Sequence, residues 1–150
     1  MTEKSDVDIY GGCPWGARWR PALPLTALAI ALLFTAEVRA QDAAAGEKVY
    51  AACRACHQVG PTAKNGVGPT LNGLFGRVSG KVAGYAYTEA NKTAHLTWDE
   101  PTFTEYIKNP KAKIPGTKMT YAGLKDDQKI KDLIAYLHTF DSAPVTLIKE

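Results

Sequence analysis

The sequence predicts an all-α domain of short helices joined by long, ordered loops, and three observations carry that prediction. Helical spacing of apolar residues is clear in only two places, near residue 50 and between 126 and 140. No stretch alternates apolar and polar residues as a half-buried strand would. Two stretches rich in Gly and Pro, 60–84 and 109–125, are longer than loops normally are in a small domain, which implies a chain wrapped around something that is not protein.

In chain order, the first forty residues stand apart. Arg18 and Arg20 precede an uncharged run rich in Ala and Leu over residues 21–36, and Val38-Arg39-Ala40 supplies a small-residue cleavage site. Positive region, apolar region and cleavage site in that order describe a secretory signal peptide, although Glu3, Asp6 and Asp8 make its start unusually acidic. The run contains Pro21 and Pro24 and falls short of the roughly 20 apolar residues of a membrane-spanning helix. The expectation is a removed leader over 1–40, acting as an anchor if retained, followed by one domain over 41–150.

Asp42 is placed to cap the first helix, and Gly46, Val49, Tyr50 and Cys53 recur at helical spacing to give it one narrow buried stripe. Gly46 lowers helix propensity, so its use is to let another helix cross closely. Residues 60–84 read as ordered loop in which Val67, Leu71, Leu74 and Phe75 need burying. Two short helices follow, one opening at Thr88 and one at Thr97, whose pairing with Glu100 matches a capping box and which must end before Pro110. After the structureless stretch 109–125, Asp126 or Asp127 caps a last helix with the stripe Ile130, Leu133, Ile134, Leu137 and Phe140.

The composition, 45% hydrophobic and 22% charged over 150 residues, is that of an ordinary globular protein. From residue 41 onward 14 Lys and Arg face 11 Asp and Glu, and no long basic run is interleaved with aromatics, so nucleic-acid binding is not expected. Loss of the leader would discard Cys13 and leave only Cys53 and Cys56. A disulfide closing so small a loop would return little stability.

Those two cysteines stand in "ACRACHQ", residues 52–58, and Cys-x-x-Cys-His is the attachment signal for c-type haem. The thiols add to the haem vinyl groups, and the adjacent imidazole of His57 becomes an axial ligand of the iron. A zinc site would need two more ligands, and only His95 and His138 remain, at no familiar spacing. A thioredoxin-like pair would follow a strand, and none is predicted. For the sixth iron position Met119 is the candidate: after export it is the one methionine left, in a loop behind the Pro115-Gly116 turn. His95 and His138 compete with it. A thioether favours Fe(II) and closes the open position that oxygen or peroxide chemistry requires.

The segments "CRACH", "GVGPTLNGLFGR", "GYAYTEANK", "EYIKNP", "IPGTKMTYAG" and "DLIAYL" occur in the order found in class I cytochromes c, and the chain resembles the mitochondrial and short bacterial periplasmic forms of that family from Gly46 to about Phe140. The resemblance implies the class I cytochrome c fold, with first and last helices crossing near Gly46, Tyr50 and Leu133. It implies one haem c on Cys53 and Cys56, with His57 and Met119 on the iron. By the same resemblance Pro69 accepts from His57 through its carbonyl. Arg77, Tyr87 and Trp98 match positions that bind or cover the propionates, Asn91 and Tyr106 match the polar pair near the methionine, and Thr117 matches a propionate partner beside it.

What the resemblance further implies is an electron carrier rather than an enzyme. It would work in the periplasm as a monomer, between a quinol-oxidising membrane complex and an oxidase, reductase or reaction centre. Lys48, Lys64, Lys111, Lys113, Lys118 and Lys125 occupy or adjoin the family's lysine ring, which steers brief encounters with acidic partner surfaces. The ring is thinned by neutral Ala52 and Ala112 and by Asp126-Asp127. The reading from another class is a small haem enzyme or gas-binding protein with an open sixth position.

Overall fold

A computed structural model of the chain describes residues 40–148. Apart from Ala40, the leader expected over 1–40 lies outside the described residues. Within them the elements are α1 (Ala43–Tyr50), α2 (Glu89–Thr93), α3 (Glu100–Lys108), α4 (Pro110–Lys113) and α5 (Asp127–His138). The only extended pairings among the described residues are two isolated bridges, Val78 with Thr97 and Val82 with Leu147. None of the described helices is long and apolar enough to cross a membrane.

The Asp42 carboxylate caps α1 by accepting the amides of Ala44 and Ala45. The expected helical stripe reaches Cys53, but α1 ends at Tyr50. Beyond it the chain tightens, with Ala52 bonding back to Val49 and Cys53 to Tyr50, three residues each. Over a single turn such spacing is too close to the α period for apolar pattern to separate the two. Thr88 caps α2 as expected. The capping box at Thr97 is corrected: Thr97 pairs with Val78 instead, and Asp99 caps α3 by accepting the Thr102 amide at 2.7 Å. Within the stretch expected to be structureless, Asn109 caps the one-turn α4, because Pro110 that stops α3 also presets a new first turn.

Asp126 rather than Asp127 caps α5. Ile130, Leu133, Ile134 and Leu137 are each at most 2% exposed, and burial of such side chains is worth about 1.5–3 kcal/mol apiece. The stripe faces α1, where a Cβ on Gly46 would lie only 1.9 Å from the Asp132 carbonyl oxygen. Without a side chain there the two backbones meet, and the Tyr50 and Tyr136 rings pack 5.3 Å apart beside the crossing.

The loop 60–84 is ordered by buried hydrogen bonds. Asn72 is fully buried, accepts the Gly60 amide, and donates to the carbonyls of Gly60 and Pro144. Residues 146–148 then run beside 81–83, with the Ala83 amide on Thr146 and the Ile148 amide on Lys81. Leu74 is buried in the core, but Val67 is 73% exposed, against the expectation that it needs burying. Its carbonyl is held by Tyr85, and the residue lines the mouth of a cavity. At the end of α5, His138 stacks on Phe75 and bonds Asp141 and Glu100. Burial pulls its pKa down, but the two carboxylates outweigh this and raise it above the usual imidazole range.

Candidate cofactor-binding site

A cavity of about 440 Å³ opens between the first turns after α1, the loop 67–87, α3 and the segment after α4. Cys53, Cys56, His57, Pro69, Arg77, Tyr87, Asn91, Trp98, Tyr106, Thr117 and Met119 all line it, among apolar walls from Leu71, Leu74, Phe103, Leu133 and Leu137. His95 and His138, the other candidates for the iron's sixth position, do not line it.

On one side the turns after α1 deliver the two thiols and the imidazole. Both thiols are free, and burial foremost raises that of Cys53. The His57 amide bonds to Cys53, and its carbonyl accepts the Tyr50 hydroxyl at 2.7 Å. Burial, with the Cys53 thiol next, pushes Tyr50 up to about 12, so the phenol stays a donor. His57 Nδ1 lies 2.7 Å from the Pro69 carbonyl oxygen. A carbonyl only accepts, so the proton sits on Nδ1 and the Nε2 lone pair is left for a ligand. Burial lowers the imidazole's pKa, opposed by the Pro69 bond. Gly68 lies flat against that ring, where a Cβ would come within 2.4 Å of it.

Met119, also in the cavity lining, sits in irregular chain. The Tyr106 hydroxyl donates to its Sδ at 3.2 Å, and the Thr117 hydroxyl accepts its amide at 3.3 Å. Burial raises the Tyr106 pKa, with a bond from Thr117 opposing. Asn91 lines the cavity and accepts from the Thr88 hydroxyl through its side-chain oxygen.

A third wall holds a charge. Arg77 is 6% exposed, and its guanidinium donates to the carbonyls of Thr70 and Asn72. The Val78–Thr97 bridge positions it, with the Arg77 carbonyl accepting the Trp98 amide at 2.8 Å. Trp98 in turn packs edge-on against Tyr106, centroids 4.9 Å apart. Burial disfavours the charge on Arg77 and raises the pKa of Tyr87, which the nearby guanidinium opposes. Buried charges are normally paired, and carbonyl dipoles alone are weak compensation, so the wall suits a ligand bearing anionic groups.

Of the six lysines expected to ring the site, Lys113 is ion-paired to Glu105, while Lys118, which lines the cavity, and Lys125 donate to the carbonyls of Ala86 and Lys108 and keep their charge. Lys48, Lys64 and Lys111 are exposed, with no ion pair among the described residues. The sequence reading missed Gly68 and Tyr85. An extra glycine in a glycine-rich loop gives no signal, and Tyr85 stands one residue from the singled-out Tyr87.

Two free thiols, an imidazole, a thioether, apolar walls and one buried cation around a single cavity make a donor set that fits haem c. The sequence profile of the family described as cytochrome c matches residues 43–141. The chain is 60% identical over 107 residues to cytochrome c2 of Blastochloris viridis, covering 71% of this chain and 84% of that one. It is 55% identical over 100 residues to cytochrome c-550 of Nitrobacter winogradskyi, covering 67% and 92%. Cytochrome cH from Methylobacterium extorquens superposes with a TM-score of 0.62 at 49% identity, over 65% of this chain and 98% of that one.

Proposed function

The chain belongs to the cytochrome c family, and on that footing we propose that it is an exported one-electron carrier holding haem c through Cys53 and Cys56, with His57 and Met119 as axial ligands. The observation that carries this reading is one apolar cavity lined by both thiols, the imidazole and the thioether. Haem bound there supplies a one-electron Fe(III)/Fe(II) couple.

The protein's own part is to hold and tune. The Pro69 carbonyl takes the Nδ1 proton of His57, fixing the tautomer and strengthening Nε2 as a donor. Met119 presents a soft, neutral sulfur that favours the reduced state, and the Tyr106 hydroxyl orients it. Arg77 and Tyr87 offset buried propionate charge, while Leu74, Phe103 and Leu137 keep water out. His57 and Met119 would hold the iron so that no position is left for substrate, which suits electron exchange and not catalysis.

The exchange itself takes place at the mouth, where Ala52, Val67 and Ala122 are small or apolar and exposed. Lys48, Lys64, Lys111, Lys118 and Lys125, with Lys113 partly offset by Glu105, would steer a brief, salt-sensitive encounter with acidic surfaces of periplasmic membrane complexes, a quinol oxidiser on one side and an oxidase, reductase or reaction centre on the other. The working unit is a monomer.

The test is the intact mass of the exported protein together with extraction in acidified organic solvent. The mass is expected to equal the processed chain plus one haem, with the pigment staying on the protein. Pigment released into the solvent and a chain of unmodified mass would overturn the attachment at Cys53 and Cys56.

A further inference from the structure

We propose that Tyr85 is a positioning residue that straps the segment carrying Met119 to the loop behind His57 across the cavity mouth, and so sets how readily the thioether yields to an outside ligand. The inference rests on ligation of the iron by Met119.

Three segments meet at this side chain. Its hydroxyl donates to the Val67 carbonyl at 2.6 Å. Val67 directly precedes Gly68, which lies against the His57 ring, and Pro69, whose carbonyl holds His57 Nδ1. The face of the Tyr85 ring carries the Lys118 ammonium 4.4 Å from its centroid, and the same ammonium donates to the Ala86 carbonyl. Lys118 is the chain neighbour of Met119. The ring's edge is set by Tyr87, 4.7 Å away at 77°. A parallel tie runs beside it, from the Asn65 amide group to the Ala83 carbonyl at 2.9 Å.

The links act in series from Met119 through Lys118 and Tyr85 to Val67, so loss of the hydroxyl removes this tie, leaving the ring under the lysine and the Asn65–Ala83 bond beside it. Residues 117–126 contain no helix, and the Met119 segment therefore depends on such side-chain ties. To release the thioether the segment must swing outward, and the strap opposes that movement. A hydrogen bond of this kind is worth a factor of roughly three to ten in an equilibrium.

The experiment titrates imidazole into the oxidised holoprotein and follows the visible spectrum, for the parent, Tyr85→Phe, Met119→Ala and the double variant. Tyr85→Phe is expected to bind imidazole roughly three- to tenfold more tightly than the parent, by the same hydrogen-bond factor. In the Met119→Ala background, where no thioether is displaced, the same change should leave affinity unaltered. Equal affinities for Tyr85→Phe and the parent would overturn the proposal, as would an identical gain in the Met119→Ala background. A Met119→Ala protein that binds imidazole no more tightly than the parent would instead remove the ligation reading beneath it.

Discussion

His57 is fixed at its ring by Pro69 and Gly68, at its amide by Cys53 and at its carbonyl by Tyr50, all within a short stretch of chain that also carries both thiols. Met119 rests on one hydroxyl at its sulfur and one at its amide, in a segment without helix, with Lys118 beside it reaching over to Tyr85 and Ala86. The two sides face the same cavity with very different mechanical support. One is a rigid seat and the other a held flap, so exchange at the iron should begin on the methionine side.

The largest effect is expected on the rigid side. Gly68→Ala puts a Cβ inside contact distance of a ring whose backbone is pinned on both flanks. Overpacking of this kind costs about 1–3 kcal/mol and sometimes more. Chemical denaturation of the variant holoprotein should show that loss, and a stability equal to the parent's would mean the His57 side gives as easily as the Met119 side. Tyr106→Phe should act more gently, since it removes one donor to the sulfur and retains the ring against Trp98. The expected cost is about 0.5–1.5 kcal/mol, read by the same denaturation, together with a small change in potential. A loss as large as that of Gly68→Ala would erase the distinction between seat and flap.

How much of this was legible beforehand depends on the type of signal. The thiols and His57 announce themselves because covalent attachment requires fixed spacing, and the capped, strongly periodic α5 is readable because burial repeats along it. The start of α3 was misplaced because Thr97, a good cap by type, is committed to Val78 in a pairing that only the folded chain reveals. Val67 looked like a residue to bury, yet its burial is decided by where the loop runs and not by its own hydropathy. Tyr85 and Gly68 act through contacts between segments that are distant from, or indistinct within, the local pattern. The lysines were legible as charge, but the Lys113–Glu105 pair was not, because the two residues lie on different helices.

In the proposed site the imidazole of His57 and the thioether of Met119 together grip the iron, and this is open to a direct check. It is tested most directly by measuring the reduction potential and visible spectrum of Met119→Ala beside the parent. The variant is expected to keep its covalent haem, lose the parent's spectrum and fall in potential by on the order of 100 mV or more, within the roughly 0.8 V that axial ligands command. An unchanged potential with an unchanged spectrum would mean that Met119 does not hold the iron.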